Sequence, residues 1–444
     1  MTAPPRVVLA CCLWLAAAPA RAQEVARPET LAEAWTAALA ANRRLSAARA
    51  LTASADLRLA AAKAARLPTV GVEGRYTALS HAPTSLLEIP PVTVPGFDAP
   101  LDLPIEQLRL GQRTSGSYRA LASLPLFTSG RIGAAVEAAD AGARRSRLDE
   151  AREAIEIRLA VAEAYLDVLR AGRLLEVADS HVTRLAAHAS DAANLVEQGV
   201  VATNDRLSAD VALADARQQR IRAANAADIA HAVYNRLLGR PLDRPVLVEA
   251  PPPPAESGDL AALTSRALVA RPELAELDQE ARVWSSQASG VLATVRPQSS
   301  VDGGYTYQEN RYQLYPGVWS IALNVRWTLF DGGAALAESL AARRQADAVA
   351  SRRDDLRSLV ALDVRRAWLD VGEARARAQV ARDALVQADE NLKVARDRYT
   401  AGVGTATEVL DAESLRVRSE TNAAVASYDV TLAAYRLRRA VGDL

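Results

Sequence analysis

The residues with the most chemical capacity lie along long helical patterns, and their spacing argues against most reactions. His181 and His188 are seven residues apart, which on a helix is two turns and roughly 10 Å, too far for both to ligate one metal directly. Both read as exposed flank residues beside an apolar seam. Gly402 and Gly404 precede a helical pattern, but Thr407 stands where a third fingerprint glycine would be and no phosphate-loop lysine follows. Nucleotide binding is therefore not expected. Met1 is the sole methionine and the two cysteines are Cys11 and Cys12, which leaves no methionine-lined metal path and no cysteine nucleophile beyond the first dozen residues. Carboxylates are plentiful, yet they are interleaved with arginines at helical spacing, the pattern of a solvated face. Gly402 can take the left-handed conformation that ends a helix, and Thr405 with Glu408 three residues on is a capping-box signature for the next. A sharp helical hairpin is expected there. Gly199 marks a similar turn, where Ala202 replaces the capping threonine and Thr203 or Asn204 is left to cap. No enzyme, cofactor or metal is expected.

The chain that positions these residues has 444 residues, 50% hydrophobic and only 5% aromatic. That length suits roughly three average domains, but an apolar share made largely of alanine favours long, closely packed helices. With 53 Lys and Arg against 53 Asp and Glu there is no broad attraction for phosphate backbones, so a nucleic-acid partner is not expected. Residues 1–22 read as an export signal: Arg6 supplies the positive start, Val7 to Ala18 is apolar, and Ala20-Arg21-Ala22 fits a small-x-small cleavage site. Val8-Leu9-Ala10-Cys11 loosely resembles a lipoprotein box that would lipidate Cys11, although almost no apolar segment precedes it. Beyond residue 22 no apolar run approaches the ~20 residues of a membrane helix. Any membrane role must come from strands.

The chain contains itself twice. LPLFTSG at 124–130 aligns with WTLFDGG at 327–333, AYLDV at 164–168 with AWLDV at 367–371, and Gly199 with Gly402, all at an offset of 203. Upstream, Leu45 to Pro68 aligns with Leu274 to Pro297 at an offset of 229, so the first copy carries an enlarged, Pro-rich loop around 78–113. The expected layout is a first repeat over 23–239, a Pro-rich linker over 240–257 and a second repeat over 258–444. Each repeat opens with a helix (30–66; 258–295) and two strands (about 69–77 and 117–127; 299–308 and 318–330). A long helix follows (131–198; 334–401), and a last helix runs from the glycine turn to Gly239 or Gly442. At 1.5 Å per residue the long helix reaches about 100 Å.

In the second copy Val364, Ala367, Val371, Ala374, Ala378, Ala381, Leu385, Ala388, Leu392, Ala395 and Tyr399 keep strict 3,4 spacing, and the first copy repeats the pattern from Val161 to Val196. Such a 3.5-residue period implies left-handed coiled-coil packing, with alanines letting backbones approach closely. A free-standing fibrous coiled coil would satisfy this alone. The strands argue otherwise. Trp319, Ile321, Leu323, Val325, Trp327 and Leu329 alternate with Val318, Ser320, Ala322, Asn324, Arg326 and Thr328. An apolar face bracketed by tryptophans suits a lipid-facing strand with an aromatic girdle at Trp319 and Trp327, although a half-buried strand of a soluble sandwich would also alternate. Four strands cannot close a barrel, since the smallest use about eight. Several chains must share one.

With RPEL at 271–274, LLGRPL at 237–242, RYTAGVGTATEVLDAE at 398–413 and the tandem layout, the sequence resembles the TolC-type outer-membrane efflux proteins. The resemblance covers nearly the whole of 23–444. It implies a mainly α fold with membrane β: a long coiled-coil barrel and four strands per chain in a twelve-stranded outer-membrane barrel shared by a homotrimer. It also implies a periplasmic tunnel in a Gram-negative bacterium, docked to a periplasmic adaptor and an inner-membrane pump, that exports small toxic solutes. A duct for secreted polypeptide and a periplasmic structural coiled coil are the alternatives. By resemblance Tyr399 falls on a gate tyrosine, Asp411 on a pore-constricting aspartate, Glu408 on a neighbouring acidic position and Asp205 on an acidic partner. The arginine expected to tie the gate shut is Gly404 here, leaving Arg206 or Arg398 as stand-ins.

Overall fold

The computed structural model of the chain describes residues 27–87, 95, 106–252, 254 and 258–444. The expected export signal at 1–22 with Cys11, and parts of the enlarged loop and of the linker, lie outside the described residues. The elements run α1 (Leu31–Ala41), α2 (Arg43–Ala64), β1 (Thr69–Ala78), β2 (Thr84–Leu87), β3 (Glu106–Arg109), β4 (Thr114–Phe127), α3 (Arg131–Glu197) and α4 (Thr203–Leu237). The second copy gives α5 (Leu260–Ala270), α6 (Pro272–Ala293), β5 (Gln298–Gln308), β6 (Gly317–Arg326), α7 (Ala334–Thr400) and α8 (Ala406–Val441). Contacts divide these into two compact units. One holds residues up to Ala40 with 161–253 and 381–428, the other 41–160, 254–380 and 429–444.

The opening helix of each copy is two helices rather than one. Asn42 and Arg271 both leave the helical region, at ψ 125° and 122°, and their numbers differ by the repeat offset of 229. The causes differ. Asn42 caps α2 by accepting from the Arg44 N–H at 2.9 Å, whereas Pro272 at the start of α6 pushes its predecessor out of the helical region. Such breaks leave the apolar period intact, so periodicity alone runs through them. The enlarged loop carries a short ribbon, β2 paired antiparallel with β3. β6 stops at Arg326, four residues before the expected end, so Trp327 follows the strand rather than closing it.

In the second unit the four-stranded sheet has order β1-β4-β5-β6, antiparallel throughout. Its register puts Val70, Val72 and Tyr76 of β1, Tyr118 and Ala120 of β4, Tyr305 and Tyr307 of β5, and Trp319, Ile321 and Leu323 of β6 on one face. Tyr305 packs on Trp319 with ring centroids 5.0 Å apart. The other face carries Glu73, Arg75, Arg119, Asp302, Asn324 and Arg326, and Asp302 accepts hydrogen bonds there from Ser123 and Asn324. Trp319 and Ile321 are 79% and 86% exposed, so none of the described residues covers the apolar face there. Gly304 sits where a Cβ would lie 2.3 Å from the Ala120 carbonyl oxygen and 3.2 Å from Leu121 Cα. The expected result of Gly304→Val is a β5 unable to pair with β4, seen as loss of most folded, membrane-inserted protein on extraction.

The helical core of this unit joins Leu263, Ala267 and Leu274 to Val360, Val364, Ala367 and Val371 of α7 and Leu437, Ala440 and Val441 of α8. Along the α7 seam the named positions are buried except Ala381 and Leu385, which are half-buried. In the other unit the α1 capping box is complete: the Thr30 N–H donates to Glu33 at 2.9 Å and the Glu33 N–H to Thr30 Oγ1 at 3.3 Å. Glu29 accepts from Tyr234 and from two Arg240 nitrogens, pinning the chain before α1 to the end of α4.

Candidate functional site

The helix ends share one construction. Gly199 and Gly402 have φ of 71° and 74°. Each follows a long helix and donates its own N–H to Val196 or Tyr399, while the next residue, Val200 or Val403, donates to Leu195 or Arg398 at 2.9 and 3.0 Å. That is a paired 5→2 and 6→1 cap, which needs a left-handed residue at the glycine. Gly239 and Gly442, again 203 apart, close α4 and α8 in the same way.

The starts of the two final helices differ. Thr405 caps α8 by accepting from the Glu408 N–H at 3.3 Å, but the Glu408 carboxylate turns toward Arg398, 3.8 Å away across the turn, so half of the expected box forms. α4 starts at Ala202 without a side-chain cap: neither Thr203 nor Asn204 fills that role, because both already lie inside the helix. Arg206 contacts Asp210 on its own helix at 3.9 Å, which leaves Arg398 as the arginine at the α7–α8 turn. Gly404 donates to the Arg398 carbonyl at 3.0 Å, and a Cβ on it would meet the Tyr399 nitrogen at 3.0 Å. The backbone approach occupies the space an arginine side chain would need to leave.

Tyr399 is buried with Leu392, Ala395, Ala406, Val409 and Ala412, and Leu195 and Val201 pack on this cluster. Its ring lies 5.5 Å from that of His188, and both residues line a cavity of about 470 Å³ with Arg184, Asp191 and Arg396. Burial raises the Tyr399 hydroxyl pKa, helped by the charges of Asp205 and Asp191. Burial, then the charge of Arg396, lowers that of His188. Asp205 is half-buried in the first turn of α4, while Glu408 and Asp411 are exposed.

The histidines are not exposed flank residues: His188 is 8% exposed and His181 faces a buried carboxylate. Their flanks are covered by neighbouring helices: α8 brings Glu413 to His181, and α7 lays Tyr399 beside His188. That carboxylate, Glu413, escaped the sequence reading. It is 1% exposed, contacted by His181 Nδ1 at 3.3 Å, by Arg184 Nε, and by Arg396 Nη2 at 3.3 Å. Burial by itself would raise its pKa, but the hydrogen bonds from His181 and Arg184 and the charges of Arg184 and Arg396 outweigh it and hold the group at about 2. Among the described residues no three His, Cys, Asp or Glu side chains are placed to hold a metal, and no helix is long and apolar enough to cross a membrane.

The family model described as outer membrane efflux protein matches residues 35–240 and 263–443. The chain belongs to that family. It matches once in each half, in keeping with two repeats, and family membership sets aside the reading of a free periplasmic coiled coil. The chain is similar to protein CyaE of Bordetella pertussis, 29% identical over 72% of this chain and 69% of that one. Among solved structures it resembles the outer membrane protein VceC of Vibrio cholerae, with TM-score 0.75 and 17% identity over 93% of this chain and 96% of that one. It also resembles the open state of the Neisseria gonorrhoeae MtrE outer membrane channel, with TM-score 0.72 and 19% identity over 93% and 88%. The protein is thus an outer-membrane efflux channel of the TolC-like fold.

Proposed function

We propose that three copies assemble into a passive duct that takes small toxic solutes from an inner-membrane pump, through a periplasmic adaptor, and releases them outside the cell. The observation that carries the reading is the sheet: four strands with one apolar and one polar face, whose end strands β1 and β6 each leave their outer edge unpaired among the described residues. Unpaired backbone groups cost several kcal/mol each in lipid. Three such sheets joined edge to edge give twelve strands, enough to close a barrel whose charged face lines the lumen. Tyr399, Glu408, Asp411 and Asp205 form the periplasmic gate. Three Asp411 carboxylates around the axis favour cations, and the gate opens by untwisting of α4 and α8. The chain performs no catalysis; energy comes from the pump.

Planar-bilayer recording tests this. Wild-type protein is expected to conduct with a preference for cations and to be blocked by polyvalent ones; Asp411→Ala should weaken the block and reduce the preference. A wild type that forms no channels would sink the duct, and unaltered selectivity in the variant would take Asp411 out of the pore.

A further inference from the structure

The offset of 203 exposes a break in the internal symmetry beside the gate. Glu413 on α8 corresponds to Asp210 on α4. Asp210 is exposed, 3.9 Å from Arg206 one turn back on the same helix. Glu413 is buried with both oxygens engaged: Oε1 by His181 and Arg184 of α3, Oε2 by Arg396 of α7. The counterparts of those three residues in the other copy are Ala384, Gln387 and Ala193, none of which offers a positive charge. The network extends one to two turns along α8. Arg416 binds Asp389 of α7 at 2.6 Å and Glu420 at 2.7 Å, and Arg173 of α3 reaches Glu420 at 3.3 Å. At the positions matching Arg416 and Arg173 stand Leu213 and Ala376.

A buried carboxylate shared by three helices constrains how they can move. If α8 rotates or slides against α3 and α7, the charge is left without its partners in a desolvated place, which is strongly unfavourable. The turn itself cannot supply this hold, because Gly404 is pressed against backbone and the Arg398–Glu408 pair is solvent-exposed, where such pairs contribute little. Resting on the duct reading, we infer that Glu413 is the positioning residue that clamps α8 onto α3 and α7 and so keeps the periplasmic end of the duct closed.

The test uses the full-length protein reconstituted in planar bilayers. Glu413→Gln keeps the shape and removes the charge; resting conductance should rise several-fold, and Glu413→Asp should return it toward the wild-type value. Arg396→Gln, which removes the most exposed partner, should raise conductance in the same direction and is the variant to read should Glu413→Gln fail to assemble. Glu29→Gln is the control for general loosening: it breaks the contact with Arg240 elsewhere in the same unit, and should lower melting temperature while leaving conductance alone. Wild-type conductance in both Glu413→Gln and Arg396→Gln would overturn the clamp, as would an equal rise in Glu29→Gln. If the wild type itself forms no channels the duct reading fails first; if it conducts and the variants match it, the clamp alone is wrong.

Discussion

Ile321→Arg is expected to keep most of the protein out of the membrane, while Ala322→Arg, one residue on, should insert normally. The two positions are neighbours on β6 and point to opposite faces of the sheet. Ile321 pairs across β5 with Gly303 on the apolar face and is 86% exposed. Ala322 pairs with Asp302 on the polar face, where another charge has company. An arginine on a lipid face near the bilayer midplane costs about 2–4 kcal/mol per chain, falling toward the interfaces, and an assembly of several copies would suffer it several times. The double variant Trp319→Asp with Trp327→Asp should impair insertion less, since both sit toward the ends of the apolar band. Detergent-extractable, heat-resistant oligomer is the readout. Equal yields for Ile321→Arg and Ala322→Arg would mean the apolar face does not meet lipid.

Acid should loosen the helical hairpins in a window set by Glu413. Its pKa is about 2 in the folded chain against an ordinary value of 4.5. A carboxyl whose pKa is lowered by folding stabilises the protein fully above the unfolded value, and that stabilisation is lost as pH falls from about 4.5 through 2. At about 1.4 kcal/mol per pH unit the loss amounts to about 3 kcal/mol per chain. Glu29 and Glu273, also lowered by arginine contacts despite burial, act in the same direction. Melting temperature measured from pH 6 to pH 2 should drop steeply below about pH 4.5, and Glu413→Gln should flatten the drop while starting from a lower value. An unchanged slope in that variant would show that the carboxylate is not held as described.

The fold class was readable because it rests on periods. A 3.5-residue apolar repeat and a two-residue alternation survive any local detail, and the tandem copies display each twice. What stayed hidden depends on partners brought together by packing. The breaks at Asn42 and Arg271 leave the apolar stripe undisturbed, so they show in cap chemistry and in the proline that follows Arg271 rather than in the period. His188 reads as a flank residue on its own helix and becomes buried only because other helices cover that flank. Glu413 sits one place beyond the buried Ala412, an ordinary site for a solvated acid; its partners come from positions more than two hundred residues away on α3 and from α7. A signal was nonetheless present. Setting the copies side by side shows three cationic or imidazole side chains around one helix hairpin and Ala384, Gln387 and Ala193 around the other. The short stop of β6 before Trp327 had no such signal, since alternation continues past the last ladder pair.

The strand order has a consequence for how the wall is sewn together. Within one polypeptide the junction of the two hairpins, β4 beside β5, joins the first copy to the second. The free margins, β1 and β6, also come one from each copy. Head-to-tail joining through those margins therefore repeats the kind of stitch already made inside the chain. A walker along such a sheet would meet alternating hairpins with nothing in the weave to mark where one molecule hands over to the next.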